Sequence, residues 1–68
     1  MKFLKFMTTD DYNKRIMMAI PKDKITEIKE LSDDSPNYGT YYATIETEDY
    51  TYFSVTGFNV LFDRMNEE

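Results

Sequence analysis

The chain contains no cysteine, no histidine and no tryptophan, and only two glycines and two prolines among its 68 residues. Without cysteine, no disulfide can staple the fold and no thiolate can hold a metal; without histidine, the usual zinc, iron and copper ligand sets cannot be assembled. The same two absences remove the Ser–His and Cys–His nucleophile–base pairs and the side chain that titrates nearest neutrality. These gaps argue against a self-contained enzyme, and the sequence calls for no cofactor and no metal. Nor does any stretch approach the ~20 apolar residues of a membrane span. The start, Met1 to Met7, carries Lys2 and Lys5 but runs into Thr8, Thr9, Asp10 and Asp11 without the apolar core of a signal peptide. The expectation is a cytoplasmic protein with no membrane role.

What is present favours folding. Hydrophobic residues make up 41% and aromatic residues 16% of the chain, richer than compositions that fail to collapse. Residues 1–68 suffice for a single small domain, but a domain of about 60 residues buries only ~60% of the surface its unfolded chain exposes. Pairing with a partner or with itself would therefore add to its stability.

Along the chain, Lys2–Met7 is a short aromatic and aliphatic run that ends in the polar cluster Thr8–Asn13, and Arg15–Ile20 is a near-continuous apolar run closed by Pro21. Two such runs across a short polar loop predict an antiparallel hairpin. Residues 21–24 read as a turn or a single helical turn. The next segment is ambiguous: Ile25, Ile28 and Leu31 stand at helical spacing, but a strand from Thr26 to Leu31 is the preferred reading. Glu27, Lys29 and Glu30 would suit its placement at a sheet edge. Residues 32–39 hold Pro36, Gly39 and several Ser, Asp and Asn side chains and predict the longest loop, with Asn37 or Gly39 free to turn left-handed.

The strongest local signal is the pair Thr40–Thr47 and Tyr50–Val55, rich in β-branched and aromatic residues and separated by Glu48 and Asp49. It predicts a second hairpin. A register pairing Thr47 with Tyr50 would divide the apolar residues between faces. One pairing Thr47 with Thr51 would gather Tyr41, Ala43, Ile45, Phe53 and Val55 on one side, leaving Tyr42, Thr44, Glu46, Tyr52 and Ser54 on the other. The second register is the expectation, with Asp49 as the left-handed residue of its three-residue loop. Phe58, Leu61, Phe62 and Met65 then recur at i, i+3, i+4 and i+7, predicting a C-terminal helix with Thr56 as its N-cap. So short a helix must dock on the sheet, where each fully buried side chain of the stripe contributes about 1.5–3 kcal/mol. The fold class is α+β: a small bent antiparallel sheet of four to five strands with one C-terminal helix packed on one face.

Charge is unevenly spread. Residues 1–31 carry a net +2, whereas residues 32–68 set Arg64 alone against eight acidic side chains for −7. An acidic second half that also holds most of the tyrosines predicts a surface for a basic partner protein. Its candidate residues are Asp33, Asp34, Tyr38, Tyr42, Glu46, Glu48, Asp49 and Tyr52. Direct nucleic-acid binding is not expected, because the aromatics that would stack on bases lie in the segment at −7, and Lys14, Arg15, Lys22 and Lys24 make only a small positive patch. The alternative is a structural homo-oligomer, a homodimer for instance, whose hairpin strand or tyrosine face self-associates. The pairs Asp10–Asp11 and Asp33–Asp34 lack the spacing of a calcium loop and read as turn and cap residues.

In general character the chain resembles the small acidic phage inhibitors that occupy the basic channel of a nucleic-acid-handling enzyme, a likeness of composition only. Its Lys, Asn, Ile, Tyr, Phe and Met total 31 residues against 8 for Gly, Ala, Pro and Arg, a bias consistent with an AT-rich genome. The run Ile20–Ile28 with the later hairpin and helix also resembles the layout of small flagellar-operon accessory proteins.

Overall fold

The computed structural model describes residues 2–67. The order of elements is β1 (Phe3–Thr9), β2 (Arg15–Pro21), a 3-10 turn at Lys22–Lys24, β3 (Ile25–Glu30), β4 (Ala43–Thr47), β5 (Thr51–Ser54) and α1 (Phe58–Asn66). All strand pairings are antiparallel, and they form two ladders, β1-β2 and β3-β4-β5. The α+β class expected from the sequence is the one found.

The first hairpin follows its alternation. Leu4, Phe6 and Thr8 point inward and are buried, opposite Ile20, Met18 and Ile16, while Phe3, Lys5 and Met17 face outward. Its loop is built by Asp10, whose carboxylate accepts the backbone N–H groups of Tyr12 and Lys14 at 2.9 and 3.0 Å. Asn13 completes the reversal with φ 61°, a conformation its short polar side chain tolerates. β3 is a strand, as preferred, and it occupies the edge of the three-stranded ladder. The left-handed turn of the long loop falls at Gly39, φ 99°.

The register of the second hairpin differs from the expectation. Ala43 pairs with Ser54, Thr44 with Phe53, Ile45 with Tyr52 and Glu46 with Thr51. The Thr47 N–H donates to the Tyr50 carbonyl at 2.9 Å, which closes a two-residue turn at Glu48–Asp49. Asp49 is therefore not left-handed; among the described residues only Asn13 and Gly39 take positive φ. Two side chains favour this register. Thr47 Oγ1 accepts the Tyr50 N–H at 3.1 Å and braces the turn without a glycine. Ser54, polar yet fully buried, is satisfied because its hydroxyl donates to the Thr56 carbonyl at 2.9 Å. Tyr52 rather than Phe53 thus faces the core, meeting Phe6 edge-on at 6.1 Å between centroids. Phe53 lies outside against Tyr41 at 5.4 Å.

Hydrogen bonds join the two ladders. The Val55 N–H donates to the Met7 carbonyl at 2.8 Å, the Met7 N–H to Thr56 Oγ1 at 2.9 Å, and the Thr8 hydroxyl to the Phe53 carbonyl at 2.7 Å. Thr56 is therefore a strut between sheets and not the helix cap; the N-cap is Gly57, with no side-chain hydrogen bond. Leu61 is fully buried in the core with Leu4, Phe6, Ile20, Ala43 and Ile45, and Phe58 and Met65 pack against it. Phe62, the fourth member of the expected stripe, is 54% exposed and stacks on Phe58. At the far end of α1, Lys22 Nζ donates to the carbonyls of Arg64 and Glu67 at 2.6 and 2.8 Å, a cation placed where the helix dipole is negative. Arg64 Nη1 donates to the Lys5 carbonyl at 2.8 Å, fastening α1 to β1.

Two outcomes check this packing. Truncating Ile45 or Leu61 to alanine should cost about 2–5 kcal/mol in denaturant unfolding, whereas Thr44→Ala, on the outer face, should stay within about 0.5 kcal/mol. Cysteines at Thr44 and Phe53, facing each other across β4 and β5 in a chain that otherwise has none, should oxidise to an intramolecular disulfide. In a register slipped by one residue, cysteine 44 would instead face Ser54, and the bridge should not form.

Candidate interaction site

The fold divides the eight acidic and tyrosine residues expected to form one surface. Asp33, Tyr38 and Tyr42 come together. Leu31 donates its N–H to the Tyr42 carbonyl at 3.0 Å, closing the long loop at its base, and bonds within residues 32–41 fold the loop on itself. Gly39 supplies the reversal, so that Tyr42 Oη can donate to its carbonyl at 3.1 Å. Tyr38 and Tyr42 then stand edge to face, 5.4 Å between centroids and 81° between planes, and both remain substantially exposed.

These rings form one wall of an open recess of about 640 Å³ whose other wall is the first turn of α1. Glu30 and Asp33 supply its charge, Phe58 and Val60 its apolar floor, and no lysine or arginine among the described residues lines it. The N–H groups of Phe58, Asn59 and Val60, in the first turn of α1, have no helical carbonyl to bond, and Gly57 caps the helix with no side-chain hydrogen bond to them. These three residues border the same recess.

The other five residues lie elsewhere. Glu48 and Asp49 are exposed at the tip of the β4–β5 hairpin, beside a recess that also holds Asp23 and Lys24. Tyr52, expected on the solvent side, is half-buried beneath that tip because of the register. Asp34 is exposed in the loop and does not line the tyrosine recess. Glu46 stands on the outer face directly opposite Glu27, a pairing that would repel. Lys29 lies between them, 3.2 Å from the Glu46 carboxylate and 3.3 Å from that of Glu27. Glu46 is thus partly neutralised and serves the edge strand.

Sequence reasoning missed two features. Glu30, Phe58 and Val60 complete the tyrosine recess, but nothing in their spacing brings the end of β3 beside the start of α1. Tyr41, Tyr50 and Phe53 line a second trough with Thr8, Thr9 and Met18, where β5 meets β1 and β2. There the hydroxyls of Thr9 and Tyr41 hydrogen-bond, and Tyr50 meets Tyr52 at 4.7 Å. Placing Phe53 outside would have followed from the correct hairpin register. Elsewhere, Lys2, Lys5, Lys22 and Arg64 line a recess with Phe3, Met17 and Glu67, but Lys22 and Arg64 are already engaged by backbone carbonyls. Among the described residues no grouping of three or more acidic, histidine or cysteine side chains could hold a metal, and no helix is long and apolar enough to cross a membrane. Compared with known proteins, the chain matches no family model, no curated protein and no solved structure.

The Lys29 cluster generates a pH prediction. Hydrogen bonds to Glu46 first and Glu27 second, with their charges, raise the Lys29 pKa above the ordinary lysine value. A raised lysine pKa contributes stability that is complete below the unfolded-state value and lost as pH rises through the folded one. The stability difference between the protein and Lys29→Met should therefore be constant through neutral pH and shrink only above about pH 10. It should also be small and fall with added salt, because all three side chains are in contact with water.

Proposed function

We propose that this chain is a non-catalytic interaction module that receives a basic segment of another protein in the recess between the Tyr38–Tyr42 loop and the start of α1. The observation that carries this reading is the composition of that recess. Its only charged side chains, among the described residues, are acidic, Glu30 and Asp33, and two tyrosine rings stand beside them. A lysine or arginine side chain can lie against a tyrosine face while its charge approaches a carboxylate, each contact being worth roughly 0.5–1 kcal/mol at an exposed site. The N–H groups of the first helical turn are the positive end of the helix dipole and suit the carbonyls of an extended peptide, leaving its cationic side chains to Glu30, Asp33 and the tyrosine rings. Glu48 and Asp49 at the hairpin tip add to the negative field that would steer such a partner.

A partner whose basic surface handles nucleic acid would be blocked by this occupation, and in that form the protein acts as an inhibitor. The uneven charge supports this version, since a segment at −7 competes for the surfaces that attract phosphates. Direct binding of nucleic acid by the same tyrosines finds no support in a recess whose described lining holds no cation.

The test is a titration of isotope-labelled protein with a lysine- and arginine-rich peptide at low and high salt. Resonances of Asp33, Tyr38, Tyr42 and Val60 should shift, and affinity should fall as salt screens the charges. The double variant Glu30→Gln/Asp33→Asn should weaken binding several-fold, about 0.2–1 kcal/mol per removed charge. Tyr38→Ala should weaken it further, while Glu48→Gln/Asp49→Asn should leave the shifted residues unchanged. Binding that survives the recess variants and is lost with the tip variants would place the site on the hairpin instead.

A further inference from the structure

The two outer edges of this fold are treated differently by the sequence. β3 carries Glu27, Lys29 and Glu30 within six residues, the kind of charge that keeps an edge from pairing. β2 has none between Ile16 and Ile20, and Ile16, Met17 and Ala19 are exposed. Yet β2 is also an edge, paired with β1 alone.

The phase of its backbone is fixed by the bonds that flank the ladder. Lys22 N–H donates to Lys2 O and Asp10 N–H to Lys14 O, so the even-numbered residues of β2 bond to β1. Arg15, Met17, Ala19 and Pro21 then turn their backbone groups away from β1, and among the described residues no hydrogen bond satisfies Met17 or Ala19. Pro21, which lacks an N–H, stands at the end of this open row, where a missing donor costs the ladder with β1 nothing.

From these features we infer that the open edge of β2 pairs antiparallel with β2 of a second copy of this chain about a two-fold axis at Met18. The strand is its own complement in that register. Met17 exchanges both backbone bonds with Ala19 of the second copy, and Arg15 donates to the carbonyl of its Pro21. On one face Ile16 meets Ile20 and Met18 meets Met18; on the other, Met17 meets Ala19, so every central pair is apolar. Registers centred one residue to either side bring Lys14 opposite Ile20 or Lys22 opposite Ile16, placing a charge against an apolar side chain. The result is a continuous four-stranded β1-β2-β2-β1 sheet, and the acidic recess beside α1 takes no part in it.

Sedimentation equilibrium from micromolar to millimolar protein tests the inference. The mass should double with concentration, and amide exchange at Met17 and Ala19 should slow over the same range without any substitution. Met17→Lys/Ala19→Lys, which puts charge on the open edge as β3 does, should remain monomeric. A protein that stays monomeric at millimolar concentration overturns the inference. So does a dimer in which the Met17 and Ala19 amides are no better protected than in the monomer.

Discussion

The arrangement of the molecule depends on the short seam where β1 meets β5. Neither ladder could make a stable domain alone, since a two-stranded ribbon is marginal in water and a three-stranded sheet needs something on its apolar face. The seam joins them with two bonds to Met7, one from Thr8, and the packing of Phe6 against Tyr52 beneath. Leu61 of α1 then closes the angle between the sheets. One hydroxyl, that of Thr56, satisfies a strand N–H that would otherwise face the gap, and it does so immediately before the helix begins. The direction of α1 is therefore set by the same residues that join the sheets, with Lys22 and Arg64 fixing its far end.

The proposed function rests on that geometry. Because the seam aims the start of α1 toward the end of β3, the long loop between β3 and β4 folds over against a helix terminus that has no side-chain cap. Carboxylates and tyrosine rings from residues 30–42 there meet the first helical turn at residues 58–60. Elsewhere Lys29 is committed to Glu27 and Glu46, and Lys22 and Arg64 to carbonyls. Of the carboxylates, Glu27 and Glu46 are thus partly neutralised, whereas Glu30 and Asp33 in the recess have no cation beside them.

Much of the fold was legible because the local signals agreed with one another. Both hairpins, the edge position of β3, the long loop and the C-terminal helix follow from alternation, from turn residues and from a 3.6-residue stripe. The register of the second hairpin was not legible, and the reason lies in Ser54 and Tyr52. Sorting side chains by hydrophobicity places a serine outside and a phenylalanine inside, but a buried hydroxyl that finds a carbonyl costs little, and a tyrosine can face the core with its hydroxyl toward the rim. Thr56 misled in a similar way, since a threonine before a helix is a common cap and its use by another strand is a tertiary fact. The candidate site was half legible: Asp33, Tyr38 and Tyr42 are near in sequence and near in space, whereas Glu46 and Tyr52 were drawn away by an ion pair and by the register.

If the seam is what positions the recess, it should not open before the rest of the protein. Native-state hydrogen exchange of the Met7 and Val55 amides measures this directly, because both are used only in the contact between sheets. A seam that holds the fold together requires them to exchange through global unfolding, with the same opening free energy as core amides of β4 such as Ile45. Markedly weaker protection at Met7 and Val55 would mean that the sheets part while each stays folded. The recess would then have no fixed shape, and the seam could not be what builds it.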